Sequence, residues 1–229
     1  MVIAGLQRFS LIDFPGQVAA IVFTQGCYFR CPYCHNPELV LPEQFGPMIE
    51  EETVFDFLRA RIGKLDGVVV TGGEPTMQND LPKFIRRVKD LGMLVKLDSS
   101  GVRPDVLQTL FDAKLVDYVA MDIKAPLPKY EEVVQVRVEL EAIRRSISLV
   151  MQSGVDYEFR TTLVEGLLTP DDVRAIGEDI CGAKRYYLQK FVSTKAVDRS
   201  YLVRKSFDSG TLALLCLELL AKVGECEVR

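Results

Sequence analysis

An α/β fold with a curved, barrel-like parallel sheet is what this sequence predicts, and three observations carry it. Short β-prone apolar runs alternate with helical spacing along most of the chain. Six such runs occur, and strands separated by helices argue for parallel pairing. Polar residues gather in or just after the C-terminal ends of successive strands, the rim on which barrel-type α/β enzymes build their sites. An open doubly wound sheet has the same string of elements but concentrates its ligand at one switch-point crevice. Contributions from all six strands favour the curved sheet.

Val18 to Thr24 (VAAIVFT) is the first strand, and it delivers the chain into Gly26–Asn36, GCYFRCPYCHN. Pro42 and Pro47 mark irregular chain beyond it. Glu50 to Ile62 has helical spacing through Val54, Phe57, Leu58 and Ile62. Gly67 to Thr71 (GVVVT) is the second strand, stopped by Gly72–Gly73. Leu81 to Leu91 is a helix with Leu81, Phe84, Ile85, Val88 and Leu91 on one face, Asn79 or Asp80 as its cap and Gly92 as its stop. Met93 to Asp98 is the third strand, Pro104 to Ala113 a helix and Val116 to Asp122 the fourth strand. A long helix from about Val136 to Gln152 ends at Gly154. Tyr157 to Val164 is the fifth strand, Pro170 to Ile180 a helix with proline in its first turn, and Lys184 to Phe191 the sixth strand. A helix from about Ser206 to Val223 closes the chain. No internal repeat or low-complexity linker divides it, so one domain is expected over residues 1–229, with a core at about 10–191 and a C-terminal helical extension at about 206–223.

Composition removes several function classes. Hydrophobic residues make up 48% and charged residues 26%, as in ordinary soluble domains. Met1 to Ser10 carries Arg8 where a secretory leader has its apolar centre. Leu212 to Leu220 is interrupted by Glu218 and is too short to span a bilayer. A cytoplasmic protein without membrane contact is the expectation. Net charge is −4, and the pairs Arg86–Arg87 and Arg144–Arg145 fall within helical patterns as solvated faces, so no nucleic-acid partner is expected. His35 is the single histidine, which removes most Ser-His and Cys-His hydrolases. Six cysteines in a cytoplasmic chain point to metal or redox use before disulfides. Cys181, Cys216 and Cys226 lack paired spacing and read as structural or incidental.

The other three cysteines are concentrated. Cys27, Cys31 and Cys34 form C-x3-C-x2-C, three soft ligands within eight residues and one short of the four thiolates that usually fill an iron–sulfur cluster's coordination. The missing ligand is either a vacancy kept for chemistry or a protein group found elsewhere. A structural zinc on Cys27, Cys31, Cys34 and His35 suits the ligand types. Against it, Cys34 and His35 are adjacent and no second C-x2-C follows. TGGEP (Thr71–Pro75) after the second strand is a tight turn or a place where a ligand approaches the backbone. DSSG (Asp98–Gly101) and MDIK (Met121–Lys124) end the next two strands, with Arg160–Thr162 in the fifth and Gln189 in the sixth. Asp98 and Asp122 converge on one rim to bind a cation, accept from ribose hydroxyls or cap turns. Lys124, two residues after Asp122, points to the same side, as a surface lysine or as a holder of a ligand carboxylate.

Together these residues resemble the radical S-adenosylmethionine superfamily, which pairs C-x3-C-x2-C, with an aromatic (Tyr33) before the last cysteine, with GGEP. More narrowly, SLIDFPG (Ser10–Gly16), FTQGC (Phe23–Cys27) and CPYCHNPEL (Cys31–Leu39) are similar to the activating enzymes of glycyl radical enzymes. Those of anaerobic ribonucleoside-triphosphate reductases are most similar, and the pyruvate formate-lyase activating enzymes are near relatives. The resemblance covers about residues 10–191 and implies a partial (β/α)6 TIM-like barrel with outer helices and an open side. It implies a [4Fe–4S] cluster on Cys27, Cys31 and Cys34, with S-adenosylmethionine chelating the fourth iron through its amino and carboxylate groups. Tyr33 and His35 then flank the adenine, Gly72, Gly73 and Glu74 receive the amino group, and Asp98 and Ser99 line the ligand's rim. Asp122 to Lys124 match the segment that holds the methionine carboxylate, and Asp98, Ser99 and Asp122 match a monovalent-cation site. DSSG stands where the family often reads DTNG, so an Asn contact is lost. Gln189 stands about where some relatives carry a histidine facing adenine or ribose.

The activity so implied is reductive cleavage of S-adenosylmethionine to methionine and a 5′-deoxyadenosyl radical, which takes a Cα hydrogen from a glycine of the partner enzyme. Flavodoxin or ferredoxin is the implied electron donor. Asp13 to Gly16 receives the partner's loop or is an ordinary Pro-Gly turn. Two other readings are a radical enzyme acting on a small molecule or another peptide, and a zinc-binding interaction module. No cysteine cluster follows Gln189, which counts against relatives with auxiliary clusters.

Overall fold

Eight strands form one sheet in strict chain order in the computed structural model, which describes residues 1–229. They are β1 (Ile3–Ser10), β2 (Ala19–Thr24), β3 (Gly67–Gly72), β4 (Leu94–Ser99), β5 (Tyr118–Asp122), β6 (Asp156–Leu163), β7 (Tyr186–Lys190) and β8 (Cys226–Val228). Pairing is parallel from β2 to β8, while β1 runs antiparallel to β2. β1 and β8 do not pair with each other, so the sheet stays open on that side. β2 to β7 are the six expected strands. The two outer ones were not legible: β1 is largely half-exposed and carries Gly5 and Arg8, and β8 is only three residues long.

The helices are α1 (Pro37–Val40), α2 (Glu51–Arg59), α3 (Leu81–Asp90), α4 (Pro104–Asp112), α5 (Tyr130–Val134), α6 (Leu140–Gln152), α7 (Pro170–Asp179) and α8 (Ser209–Leu219). α2 stops short of Ile62, which is exposed rather than part of the apolar face. The helix expected from about Val136 begins at Leu140, because Gln135 adopts a left-handed conformation (φ 57°) that ends α5 first. Thr169 starts α7 with a reciprocal capping box to Asp172. Asp208 caps α8 through the Gly210 and Thr211 N–H groups, so that helix starts at Ser209 rather than Ser206. No helix is long and apolar enough to cross a membrane.

Alternation along the strands divides the sheet into two faces. Val68 and Val70, Val95 and Leu97, Val119 and Met121 belong to the large core shared with the helices. The intervening residues face inward. There Phe14, Ala19, Ile21, Val69 and Tyr118 form a small apolar plug. Beyond the plug the inner face turns polar, through Lys96, Asp98, Asp122, Glu158 and Arg160. Each fully buried Val or Leu on the helix side contributes about 1.5–3 kcal/mol, so the outer core holds the scaffold and leaves the inner face free for polar groups.

The connection from β1 to β2 holds Asp13 to Gly16, and it sits at the N-terminal end of β2. The cysteine loop leaves the C-terminal end of the same strand. The structure therefore does not bring Asp13 and Gly16 together with the cysteines. Asp13 accepts a hydrogen bond from the Ser10 hydroxyl, and Phe14 packs on Tyr118 at 6.0 Å between ring centroids. A partner loop touching both Gly16 and Cys27 would have to run the length of the inner face.

Candidate active site

Two turns are laced together at the strand ends. The Gly73 N–H donates to the Thr24 carbonyl at 2.9 Å, and the Glu74 N–H donates to the Gly26 carbonyl at 2.8 Å. The Gly26 N–H in turn reaches the Leu39 carbonyl at 2.8 Å, closing the cysteine loop against α1. A Cβ on Gly73 would lie 2.0 Å from the Gly26 carbonyl oxygen, and one on Gly72 (φ 119°) would lie 2.4 Å from the Thr24 nitrogen. Close backbone approach, which only glycine permits, fixes the GGEP turn on the cysteine loop.

Between these turns and the ends of β4 to β6 lies a cleft of about 230 Å³ that opens to solvent. Cys27, Cys31, Tyr33, Cys34, His35, Gly72, Gly73, Glu74, Asp98, Ser99, Asp122 and Lys124 all line it. Gln189 does not; it lies one strand over from Thr162, which does, and its Oε1 accepts from the Thr162 hydroxyl at 3.4 Å. Arg160, Ser100 and Asn36 also line the cleft without an assigned role from sequence. Alternation from Glu158 to Arg160 to Thr162 is the signal that puts Arg160 on the inner face.

Glu74 is buried, and its carboxylate is filled by protein donors. Oε1 accepts from the Thr76 N–H (3.1 Å), the Thr76 hydroxyl (2.6 Å) and the Ser99 hydroxyl (2.9 Å). Oε2 accepts from the Ser100 N–H (2.7 Å) and hydroxyl (2.5 Å). A carboxylate offers about four lone-pair sites, so little capacity remains for a ligand's amino group. Glu74 instead ties the GGEP turn to the end of β4.

A buried charge network forms the floor. Arg160 donates from Nε to Asp122 at 2.8 Å and from Nη1 to Asp98 at 3.3 Å. Lys124 Nζ stands 3.0 Å from Asp122, and Lys96 Nζ pairs with Asp98 at 2.5 Å. Burial alone would raise both carboxyls, but Arg160 with Lys124 holds Asp122 well below the usual range, and Arg160 with Lys96 lowers Asp98. Burial would lower Lys124, yet Asp122, Tyr33 and Cys31 raise it well above its ordinary value. Glu158 extends the network to Tyr118 at 2.8 Å and Arg229 at 3.2 Å. Four cations (Lys96, Lys124, Arg160, Arg229) oppose three carboxylates (Asp98, Asp122, Glu158) in the floor, and the Glu74 carboxylate in the wall brings the charges into balance. The carboxylates expected to share a monovalent cation share the Arg160 guanidinium instead.

The aromatic wall is also built by contacts. His35 stacks on Phe191 at 5.2 Å and 5°, and its Nε2–H donates to the Val192 carbonyl at 2.6 Å. Tyr33 stands edge-on to Phe191, and its buried hydroxyl has no hydrogen-bond partner. The chain after β7 straps this wall down: the Val197 and Asp198 N–H groups donate to the Cys34 and Pro32 carbonyls at 3.1 and 2.9 Å.

Burial, with the Glu74 charge nearby, pushes the Cys27 thiol up to about 12; burial pushes Cys31 up to about 11 and Cys34 upward as well. A metal offsets that burial by supplying positive charge as the protons leave. No three Cys, His, Asp or Glu side chains form a ready-made metal cage, and the three thiols share the wall of one cleft. Three thiols on the wall of one cleft, with room beside them for a further ligand, fit an iron–sulfur cluster with three protein ligands. The class of protein so defined is an enzyme that handles a soft-metal cofactor and a small polar ligand at the strand ends of a partial barrel.

Comparison with known proteins agrees. Residues 21–180 match the Radical SAM superfamily. The chain is 35% identical over 207 residues to MJ1227 of Methanocaldococcus jannaschii, named as a glycyl-radical enzyme activating enzyme, in a match covering 87% of this chain and 83% of that one. It is 29% identical over 185 residues to the pyruvate formate-lyase-activating enzyme of Streptococcus mutans, covering 75% and 69% of the two chains. The solved structure of Streptococcus suis SuiB bound to its precursor peptide has a TM-score of 0.71 at 11% identity, over 91% of this chain and 48% of SuiB, a likeness of fold alone. This chain belongs to the radical SAM superfamily and, in it, to the family of glycyl-radical enzyme activating enzymes.

Proposed function

We propose that this protein cleaves S-adenosylmethionine reductively and generates a glycyl radical on an anaerobic ribonucleoside-triphosphate reductase. The observation that carries the reading is the meeting of Cys27, Cys31 and Cys34 with the GGEP turn and the Asp122–Lys124 pair in one cleft. A [4Fe–4S] cluster on the three cysteines would supply one electron at low potential to the bound sulfonium, breaking its C5′–S bond.

The chain's own groups bind and orient. Lys124 and Arg160 present positive charge to the methionine carboxylate, while Asp122 keeps both cations aligned. Ser99 lines the ligand's rim, held there by Glu74. Tyr33 and His35 present their rings to the adenine, with Phe191 fixing the plane of His35. Holding the reacting groups in one geometry converts association entropy into rate; the cofactor carries the radical chemistry. The open side of the sheet gives a partner's glycine loop a route to the rim. Flavodoxin or ferredoxin is the proposed electron donor, in the cytoplasm.

Reconstitution under anaerobic conditions tests the cofactor reading. About four irons per chain and 5′-deoxyadenosine on adding dithionite are expected; stoichiometric zinc without nucleoside product overturns it. A glycine-centred doublet in electron paramagnetic resonance, formed on the reductase and not on pyruvate formate-lyase, tests the target. Likeness to the S. mutans enzyme favours formate-lyase as the second reading, and a doublet only there selects it.

A further inference from the structure

Away from the cleft, two thiols stand closer than packing requires. Cys216 lies on the buried side of α8 with Leu212, Leu215 and Leu219, Cys226 opens β8, and their sulfurs are 3.0 Å apart. That is nearer than two unbonded sulfurs rest, and a movement of about 1 Å brings them to disulfide bond length. Cys226 is half-buried and Cys216 is buried, so one thiol is reachable from solvent and the other waits behind it.

We propose that Cys216 and Cys226 are a modification site at which a reversible disulfide clamps the last strand to the last helix. The co-reactant is a low-molecular-weight disulfide, RSSR. Cys226 loses its proton and its sulfur attacks one sulfur of RSSR, forming a mixed disulfide and releasing one RSH. Cys216 then loses its proton and attacks the Cys226 sulfur, forming the protein disulfide and releasing the second RSH. Two protein thiols lose two electrons in all, and RSSR gains them. Burial and the neighbouring Cys216 sulfur push the Cys226 thiol upward, so the first step speeds up as pH rises.

The clamp matters because β8 is three residues long and pairs only with β7. Such an edge opens locally at small cost. Arg229, the next residue, donates to Glu158 at 3.2 Å and lies 3.4 Å over the Tyr187 ring. Glu158 in turn stands 3.9 Å from Arg160. Whatever holds β8 in place also holds the far end of the charge network beneath the cleft.

The test uses cluster-loaded protein incubated anaerobically with oxidised glutathione, then alkylated and digested with trypsin. Cleavage after Lys222 separates residues 206–222 from 223–229, so a disulfide joins two otherwise distinct peptides. Expected are that joined pair, a mass about 2 Da below the sum of the reduced peptides, and a thermal midpoint higher by roughly 5–10 °C. The Arg229 amide, bonded to the Leu188 carbonyl at 2.9 Å, should exchange more slowly. Dithiothreitol should reverse all three, and Cys226→Ser should show none. Exposed Cys181 reports that the oxidant reacted. A glutathione adduct on Cys181 with no joined peptides, or a stable adduct on Cys226 alone, overturns the proposal. None of these readouts depends on which reaction the cleft performs.

Discussion

The Arg160 guanidinium spans two carboxylates, 2.8 Å from Asp122 and 3.3 Å from Asp98, on the inner face of the sheet. A buried cation that serves two anions leaves both unpaired when it is removed. Arg160→Met should lower stability by about 3–5 kcal/mol in urea unfolding. It should also weaken S-adenosylmethionine binding by about tenfold to a hundredfold, consistent with charged hydrogen bonds of about 1.5–3 kcal/mol. Isothermal titration of the cluster-loaded variant reads the second effect.

The same pair sets an acid dependence. Asp98 and Asp122 are held below their ordinary carboxylate range when folded, so the unfolded chain binds those protons first. Their contribution is present above the unfolded value of about 4 and is lost as pH falls through the folded values. Stability should therefore fall as pH drops below about 4. In Arg160→Met the depression is lessened, with only Lys124 and Lys96 left to sustain it, and the acid midpoint should move to higher pH. Circular dichroism of the cluster-free protein against pH checks both.

Gly73→Ala puts a methyl group 2.0 Å from a backbone oxygen that is not free to move. Iron content after reconstitution should fall with stability, by roughly 1–3 kcal/mol or more. Gly92→Ala is the comparison, since Gly92 has φ 75° but no atom within 4 Å of the added Cβ. It should cost about 1–2 kcal/mol and leave iron content unchanged.

Glu74→Gln replaces two acceptor oxygens with one acceptor and one donor. The donor meets the Ser99 and Thr76 groups or the Ser100 groups that now donate to Glu74. Stability should drop by about 1.5–3 kcal/mol. If Glu74 acts through Ser99 and Ser100, the KM for S-adenosylmethionine should rise more than kcat falls; an unchanged KM would contradict that role.

Tyr33→Phe removes a buried hydroxyl that has no partner. The cluster-free protein should gain about 1 kcal/mol in urea unfolding. Affinity for S-adenosylmethionine should fall in the loaded protein if that hydroxyl meets the ligand, and titration against the wild type measures it.

The local spacing of residues determined a great deal. Six of the eight strands were legible because Val22, Val70 and Leu97 belong to uninterrupted β-prone runs stopped by glycine or polar turns. The cysteine triplet Cys27, Cys31 and Cys34 and the GGEP turn were legible because a soft-ligand cluster and close backbone approach each demand particular residues at short range. β1 and β8 were not, since a half-exposed edge and a three-residue strand carry almost no periodic signal. Tertiary structure alone decided the partners. Period-two alternation turns Asp98, Asp122 and Arg160 inward, but only neighbouring strands and the reach of the guanidinium join all three. The same holds for Glu74, whose Ser99 and Ser100 donors lie one strand away, and for Cys216 and Cys226, which meet because a helix packs on the strand that follows it. Local sequence sets which face a side chain points to; the distance across that face depends on the whole sheet.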